Sequence, residues 1–223
     1  MAAQAAEIGR GRRPCIGLDL DNTIICYRRL FAEVAALSGL VRPGFAGDKH
    51  ALRQAVRALP DGEQRWTELQ AEVYGARIMR ARMMPGALDF VRRAVGAGIP
   101  VAIISHKTER PAADPAGTDL RAAARGWLAH HGFIAADALD ADAVFFEATR
   151  AEKIARVRAL GCTLFVDDLV EVFEDPAFPR DVERLLIAED GAVDGDYRVV
   201  GSWRQVEDIV LAERCDVGWP HVG

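Results

Sequence analysis

The chain has 223 residues, a length that suits one domain with an insertion or two small domains. Of these residues, 50% are hydrophobic and 27% are charged, which is ordinary for a globular protein. The formal net charge of −5 provides no basic surface for nucleic acid, and no apolar run is long enough for a membrane span. The sequence therefore predicts neither a nucleic-acid partner nor a membrane partner, and it leaves the oligomeric state open.

The N-terminal residues and the spacing of the cysteines indicate the cellular compartment of the protein. Residues 1–13 lack the apolar core of a signal peptide and are predicted to form a flexible tail. The four cysteines show no CxxC spacing, which is typical of reduced, buried thiols and not of a zinc site or a disulfide framework. Both features favour a cytoplasmic location.

The first predicted strand covers residues 15–20, and a helical block follows it. No strand is predicted between residues 27 and 84. Trp66, Leu69 and Val73 lie on one face of a helix at positions i, i+3 and i+7. The predicted helices of this block are residues 28–40, 48–60 and 62–84. The block 27–84 is most simply a small helical cap over the end of the sheet, and the alternative is that its helices extend the core domain.

Apolar runs alternate with helical patterns over the rest of the chain. A helix at 85–98 precedes a strand at 99–105, and a helix at 149–161 precedes a strand at 162–168. The remaining predicted strands are residues 143–147, 184–188 and 197–201. Short buried strands separated by helices predict an α/β fold, with a parallel sheet and helices on both faces, formed by residues 14–26 and 85–223.

Acidic and hydroxyl side chains follow three of the predicted strands. They are Asp19 and Asp21, then Ser105 and His106, then Asp167 and Asp168. Ligands bind beyond the carboxyl ends of strands in an open parallel sheet, so these side chains are expected to meet if the strands are neighbours. Four carboxylates stay ionised together only when a cation neutralises them, and hard oxygen ligands favour Mg²⁺.

The spacing of Asp19 and Asp21 predicts two separate tasks. Asp19 ends the strand, where its carboxylate can bind the metal and act as the nucleophile on a phosphoryl group. Asp21 lies on the turn beyond it, where it can protonate the leaving oxygen and later activate water. A lysine and a hydroxyl group would hold the phosphoryl oxygens.

Four short motifs carry a family resemblance. Asp19-Leu20-Asp21-Asn22-Thr23, Ser105, Lys153 and Asp167-Asp168, in that order, resemble the motifs of the haloacid dehalogenase-like (HAD) superfamily. The resemblance spans residues 16–168. It implies a Rossmann-like core, a cap between the first and second motifs, and Mg²⁺-dependent phosphoryl transfer, most often phosphatase activity. The second aspartate of the first motif favours phosphate chemistry over the dehalogenase branch.

The resemblance also implies roles for individual residues. Asp19 resembles the nucleophile, and Asp21 the general acid/base whose backbone carbonyl usually binds the metal. The residues predicted to contact the phosphate group are Thr23, Ser105 and Lys153, together with His106, which is included because it directly follows Ser105. The predicted metal ligands are Asp19, Asp21, Asp167 and Asp168. Asp168 aligns best with the metal-binding aspartate, with Asp167 as the alternative, and Lys107 is the alternative to Lys153. Asn22 stands where glycine is commoner, and asparagine tolerates a positive φ.

The predicted function is the hydrolysis of a small phosphorylated metabolite through an aspartyl-phosphate, with Mg²⁺ as cofactor. Two alternatives stay open: a phosphotransferase or phosphomutase that passes the same phosphoryl group to an alcohol, and a HAD-like binding module with little activity. A receiver-like signalling domain is disfavoured, because its adjacent acidic pair precedes a lone aspartate, whereas this chain has Asp-x-Asp first. The pattern does not identify the substrate.

Overall fold

A computed structural model describes residues 15–114, 117–188 and 195–212. The predicted tail 1–13 and residues 213–223 of the predicted core lie outside the described residues. The strands are β1 (Ile16–Leu18), β2 (Ile25–Cys26), β3 (Arg82–Met83), β4 (Val101–His106), β5 (Val144–Glu147), β6 (Leu164–Asp167), β7 (Glu183–Ile187) and β8 (Arg198–Val200). The α-helices are α1 (Arg28–Leu37), α2 (Lys49–Arg57), α3 (Gly62–Tyr74), α4 (Ala87–Gly96), α5 (Leu120–His130), α6 (Arg150–Ala159), α7 (Val170–Phe173) and α8 (Trp203–Glu207). Among the helices of the described ranges, none has the length and apolar character needed to cross a membrane.

Six strands form one parallel sheet in the order β5-β4-β1-β6-β7-β8. The first strand lies in the middle, where Leu18 is in register with Ile103 of β4 on one side and with Val166 of β6 on the other. The predicted parallel α/β sheet is therefore confirmed, with small differences at the strand ends. The three strands followed by acidic or hydroxyl side chains are neighbours, as the predicted site requires.

The sheet is covered on both faces, as predicted. Ile103 belongs to a buried cluster that includes Phe90 of α4 and Trp127 of α5. The next residue, Ile104, belongs to a second buried cluster with Val157 of α6. Because successive side chains of a strand point to opposite faces of the sheet, these two clusters are the two sides of the core.

Helices α1, α2 and α3 occupy the predicted helical block. The ring of Phe31 in α1 stacks on that of Trp66 in α3, with the centroids 5.5 Å apart. Tyr74, the last residue of α3, meets Phe31 edge to face at 5.4 Å. This aromatic contact fixes the end of α3 against α1, and the side chain of Tyr74 also reaches the cavity described below.

The predicted helix over residues 62–84 is wrong beyond Tyr74, as is the expectation of no strand before residue 84. The chain leaves the helix at Gly75, and β3 then pairs antiparallel with β2, which lies just after the first motif. The amide of Met84 extends this pairing by donating to the carbonyl of Ile24 at 2.8 Å. The pairing joins residues that are distant in sequence, so local periodicity does not reveal it.

Gly17 lies where two central strands approach closely. A Cβ atom at this position would lie 2.5 Å from Cδ2 of Phe165 on β6 and 3.1 Å from Sγ of Cys162. We expect Gly17→Ala to destabilise the fold by about 1–3 kcal/mol, because the buried Phe165 ring has no free space to move into. Chemical denaturation monitored by circular dichroism measures this loss.

Gly96→Ala is the matched control for that substitution. Gly96 is the exposed last residue of α4, and a Cβ atom there meets no neighbour within 4 Å. The control is expected to leave stability unchanged or to raise it by up to about 1 kcal/mol, since alanine favours helix more than glycine does. Equal stability of the two variants would contradict the close-approach argument.

Candidate active site

The turn after β1 places Asp19 and Asp21 at the edge of the sheet. The amide of Asp19 donates to the carbonyl of Val166 at 2.9 Å, which continues the β1–β6 pairing by one residue. The chain then reverses through Asn22, whose φ of 65° confirms that asparagine takes the left-handed conformation here. The buried indole of Trp203 fixes the far side of the turn by donating to the carbonyl of Thr23 at 3.0 Å.

Both carboxylate oxygens of Asp19 have fixed partners. Nζ of Lys153 lies 2.6 Å from Oδ1, and the hydroxyl of Thr23 donates to Oδ2 at 3.2 Å. Lys153 is completely buried on the first turn of α6, which begins with a capping box between Thr149 and Glu152. Burial opposes its charge, but the carboxylates of Asp19 and Asp167 outweigh burial and raise the pKa of Lys153. The lysine therefore stays a cation beside Asp19.

Asp167 and Asp168 end β6 next to this pair. Asp167 is fully buried, and its Oδ2 lies 2.7 Å from Nζ of Lys153, an ion contact without hydrogen-bond geometry. Its Oδ1 accepts from the amide of Leu169 at 3.0 Å. Burial raises the pKa of Asp167 to about 7 despite the opposing lysine. Burial, with the charges of Asp19 and Asp167, also raises the pKa of Asp168 well above its usual range.

These carboxylates fit a divalent cation. Asp19, Asp167 and Asp168 each offer one oxygen, and the three oxygens lie within 4.8 Å of one another. Oxygen ligands of Mg²⁺ lie about 2.0–2.1 Å from the ion, so the three atoms are close to the spacing of one shared ion. Lys153 supplies a single positive charge against three carboxylates, while burial, helped by the neighbouring carboxylates, raises the pKa values of Asp167 and Asp168. A hard cation would offset the excess of negative charge.

Asp21 belongs to a separate group of contacts. Its Oδ2 lies 2.6 Å from Nζ of Lys107, and its Oδ1 accepts a hydrogen bond from the hydroxyl of Tyr27 at 2.7 Å. Burial would raise the pKa of Asp21, but the ammonium of Lys107 and the two hydrogen bonds together outweigh it, and the pKa lies below its usual value. Asp21 is therefore an ionised carboxylate in the free protein.

A cavity of about 350 Å³ opens over these groups. The sheet edge contributes Asp19, Asp21, Asn22, Ser105, His106, Lys107, Asp168 and Leu169, and the loop after β4 with the start of α5 contributes Thr108, Pro111, Ala112 and Leu120. The helical block contributes Lys49, Thr67, Gln70, Ala71 and Tyr74. The Nδ1 atom of His106 is buried without a hydrogen-bond partner among the described residues. The cavity is thus strongly polar at the sheet and mixed in character under the helices.

The chain is similar in structure, but not in sequence, to known proteins. No protein-family model and no curated protein matches the sequence. A HAD hydrolase of family IA, variant 3, from Entamoeba histolytica is similar in structure, with a TM-score of 0.57 at 12% identity, covering 92% of this chain and 98% of that one. A HAD family hydrolase from Deinococcus radiodurans, with bound phosphate and sodium, gives 0.56 at 17% identity, covering 91% and 97%. A haloacid dehalogenase-like family hydrolase from Xanthomonas campestris gives 0.54 at 14% identity, covering 92% and 97%. This chain has the HAD hydrolase fold.

The HAD fold confirms the predicted Rossmann-like core, and the predicted motif residues meet in one place. The predicted residues that line the cavity are Asp19, Asp21, Ser105, His106 and Asp168. The predicted residues behind them, in the protein interior, are Thr23, Lys153 and Asp167. Thr23 contacts Asp19 directly, so its hydroxyl orients a cavity carboxylate; the phosphate contact predicted for it stays a prediction.

The structure places the two candidate lysines differently. Lys153 bridges Asp19 and Asp167 and is not among the cavity-lining residues, whereas Lys107 lines the cavity and pairs with Asp21. Of the adjacent aspartates, Asp168 is half-buried and faces the cavity, and Asp167 is held in the interior. Both lysines and both aspartates therefore lie at or directly behind this cavity, in different positions.

Sequence reasoning missed Tyr27, Lys49 and Tyr74. Tyr27, at the start of the helical block, donates a hydrogen bond to Asp21, and the other two line the cavity from the same block. One signal was available: the chain has 28 lysines and arginines, but lysine occurs only at positions 49, 107 and 153. All three lysines lie at this site. Arginine and lysine are not interchangeable at compact charge sites, so rare lysines in an arginine-rich chain mark such sites.

Proposed function

We propose that this chain belongs to the HAD superfamily and is a Mg²⁺-dependent phosphatase that hydrolyses a small phosphorylated metabolite. The observation that carries the proposal is that Asp19, Asp21, Ser105 and Asp168 face one cavity from three adjacent strand ends. The cavity volume of about 350 Å³ suits a small metabolite. The phosphate bound to the Deinococcus radiodurans hydrolase of the same fold supports phosphate as the recognised group.

Asp19 is the nucleophile in this proposal. One of its carboxylate oxygens attacks the phosphorus atom, the bond from phosphorus to the ester oxygen breaks, and an aspartyl-phosphate forms. Lys153 and Thr23 hold the two oxygens of Asp19 from the interior, so the carboxylate is oriented before the substrate arrives. That orientation reduces the entropy cost of reaching the transition state.

Asp21 moves the protons. It gives a proton to the leaving ester oxygen, then takes one from the water that attacks the aspartyl-phosphate, which releases inorganic phosphate and restores Asp19. The ionised Asp21 of the free protein is already suited to the second step. A phosphate dianion arriving beside it raises the pKa of this carboxylate and favours the protonated form needed for the first step.

The phosphoryl oxygens need neutralising partners. The proposed set is the hydroxyl of Ser105, the side chain of His106 and the positive charges of Lys107 and Lys153. Mg²⁺ would be held by Asp19, Asp168 and the backbone carbonyl of Asp21, with Asp167 beside them. The bound ion would neutralise charge on the phosphoryl group and on the clustered carboxylates.

The helical block 27–84 is proposed as a cap on a core formed by residues 14–26 and 85–223. Its residues Lys49, Gln70 and Tyr74 face the sheet-edge carboxylates across the cavity. The β2–β3 pair joins the two ends of the block at one place, so both connections to the core are adjacent. A cap in this position limits water access and contacts the leaving group of the substrate.

A panel of phosphometabolites tests the proposal. We expect phosphate release from at least one member with Mg²⁺ present and less than about 1% of that rate in EDTA, because the carboxylate cluster needs its cation. Adding Mg²⁺ back after EDTA should restore the rate. Phosphate release that is indifferent to EDTA, or its absence across the panel from a folded protein, would overturn the proposal.

A further inference from the structure

Lys49 is a cavity residue that the proposed mechanism does not use. It is the first residue of α2, directly after the N-cap Asp48, and its side chain is half-buried. Its Nζ atom donates to the hydroxyl of Tyr74 at 3.0 Å and lies 5.4 and 5.7 Å from the ring centroids of Phe31 and Tyr74. The ammonium group is therefore held by aromatic rings at the cavity wall.

Lys49 differs from the other two lysines of the site in having no carboxylate partner. Lys153 pairs with Asp19 and Asp167, and Lys107 pairs with Asp21. No acidic side chain in the described part of the chain forms an ion pair with Lys49. Burial lowers the pKa of Lys49, and the more distant Asp168 and Asp21 offset only part of that effect. A partly desolvated cation without a counter-charge is costly.

The position of Lys49 on its helix adds to that cost. A positive charge in the first turn of a helix is repelled by the partial positive charge of the helix N-terminus. The first turn of α2 contains no acidic residue, and the N-cap Asp48, whose carboxylate accepts from the amide of Ala51 at 2.7 Å, forms no ion pair with Lys49. The chain also places one of its only three lysines at this point, although arginine is its usual basic residue. These features are unfavourable for folding and are explained if an anionic ligand binds there.

The transferred phosphoryl group has other partners. Asp19, Ser105 and Lys107 line the cavity from the sheet edge, and the ring of Tyr74 lies near both Lys107 and Lys49, whose Nζ atoms are 4.9 and 5.7 Å from its centroid. Neutral polar residues of α3, Thr67 and Gln70, line the same wall as Lys49. The site thus has a second polar end, with one uncompensated positive charge.

We propose that Lys49 binds a second anionic group on the substrate, so that the substrate class is phosphate monoesters that carry a further carboxylate or phosphate. This inference rests on the proposed function and narrows its substrate. The ammonium of Lys49 would pair with the distal anion, while the hydroxyl of Tyr74 keeps the lysine oriented. Small phosphorylated sugars and alcohols without a second charge would leave Lys49 unpaired and bind more weakly.

Calorimetric titration of matched probe pairs tests the inference. The pairs are 3-phosphoglycerate against glycerol 3-phosphate and fructose 1,6-bisphosphate against fructose 6-phosphate, added with Mg²⁺ to the Asp19→Asn protein so that no turnover occurs. We expect the doubly anionic member of at least one pair to bind at least tenfold more tightly. Adding Lys49→Met should reduce that preference about tenfold to a hundredfold, as expected for loss of a charged contact, and Lys49→Arg should retain most of it.

Arg53→Met is the matched control. Arg53 is exposed, lies one turn further along α2 and does not line the cavity, so the same change of charge leaves the preference intact. Tighter binding of 3-phosphoglycerate than of glycerol 3-phosphate indicates that Lys49 binds a carboxylate. Tighter binding of fructose 1,6-bisphosphate than of fructose 6-phosphate indicates that it binds a second phosphate. A preference unchanged by Lys49→Met, or no preference in either pair, overturns the inference. Because the readout is binding, failure of phosphate release in the native protein would count against the proposed function alone.

Discussion

Asp19→Asn is expected to lower phosphate release by about 10⁴-fold or more, as removal of a nucleophile does in other covalent enzymes. The amide keeps the size of the carboxylate but has no anionic oxygen to attack phosphorus. It retains an oxygen that can accept from the ammonium of Lys153, and its NH2 group can donate to the hydroxyl of Thr23, so the turn after β1 keeps both hydrogen-bond partners. The measurement is initial-rate phosphate release on the best substrate of the panel, with circular dichroism to verify the fold.

The control for this variant is Asp142→Asn. Asp142 is exposed and does not line the cavity, so the identical chemical change should leave the rate within about twofold of the native protein.

Asp21→Asn separates the role of the nucleophile from that of the general acid/base, because it should slow the reaction while leaving Asp19 able to become phosphorylated. An Asp19→Asn protein that turns over at the native rate would exclude the aspartyl-phosphate route.

The strand ends were predictable because their signal is local. Apolar runs that stop at Asp19, Ser105 and Asp167 identify buried strands, and the rule that ligands bind at the carboxyl edge of a parallel sheet supplies the rest. The observed order, with β1 between β4 and β6, is what brings these three side chains together. Local strand signals and one general rule of topology therefore predicted that these side chains meet if their strands are neighbours, and the family resemblance supplied the roles that stay predictions.

The cavity wall formed by the helical block was not predictable in the same way. Lys49 and Tyr74 face the cavity because α2 and α3 pack against α1, through aromatic contacts that periodicity does not specify. The pairing of β3 with β2, which sets where the block leaves the core, also depends on residues far apart in sequence. Helix patterns identified the elements, but their orientation depends on tertiary packing.

Lys107 shows that the neighbours of a residue in sequence are not enough to assign its role. It directly follows Ser105 and His106, which made it a candidate for the phosphate lysine. Its amide donates to the carbonyl of Glu147 at 2.8 Å, which extends the β4–β5 pairing and directs the side chain toward Asp21. The two lysines considered for one predicted role therefore occupy two positions, with Lys153 beside Asp19 and Asp167 and Lys107 beside Asp21.

Lys153→Met is expected to destabilise the protein by about 3–5 kcal/mol in the absence of divalent metal. The substitution keeps a long apolar side chain, but it leaves Asp19 and Asp167 buried without the ammonium that contacts both at 2.6 and 2.7 Å. Removing one partner of a buried ion cluster costs more than the cluster contributes, because the remaining charges stay desolvated. Urea denaturation in EDTA measures the loss.

The loss of stability caused by Lys153→Met should increase as pH rises. Burial has already raised the pKa of Asp167 to about 7, above its value in the unfolded chain, so this group favours the folded state at low pH and loses that contribution as pH rises through 7. Removing Lys153 raises the pKa of Asp167 further. The deficit of the variant relative to the native protein is therefore expected to grow as pH rises above about 7, where Asp167 ionises in the folded native protein but stays protonated in the folded variant, and added Mg²⁺ should recover part of it there.

Lys49→Met separates this effect from the loss of any buried lysine. It is the same substitution near the same site, but Lys49 is only half-buried and no acidic residue in the described ranges pairs with it. Its removal leaves no carboxylate stranded, so the expected change in stability is within about 1 kcal/mol. Equal losses for the two lysines, or a loss at Lys153 that does not vary with pH, would mean that packing and not the carboxylate cluster depends on Lys153. The contrast between the two lysines therefore measures how strongly the protein needs a cation beneath Asp19.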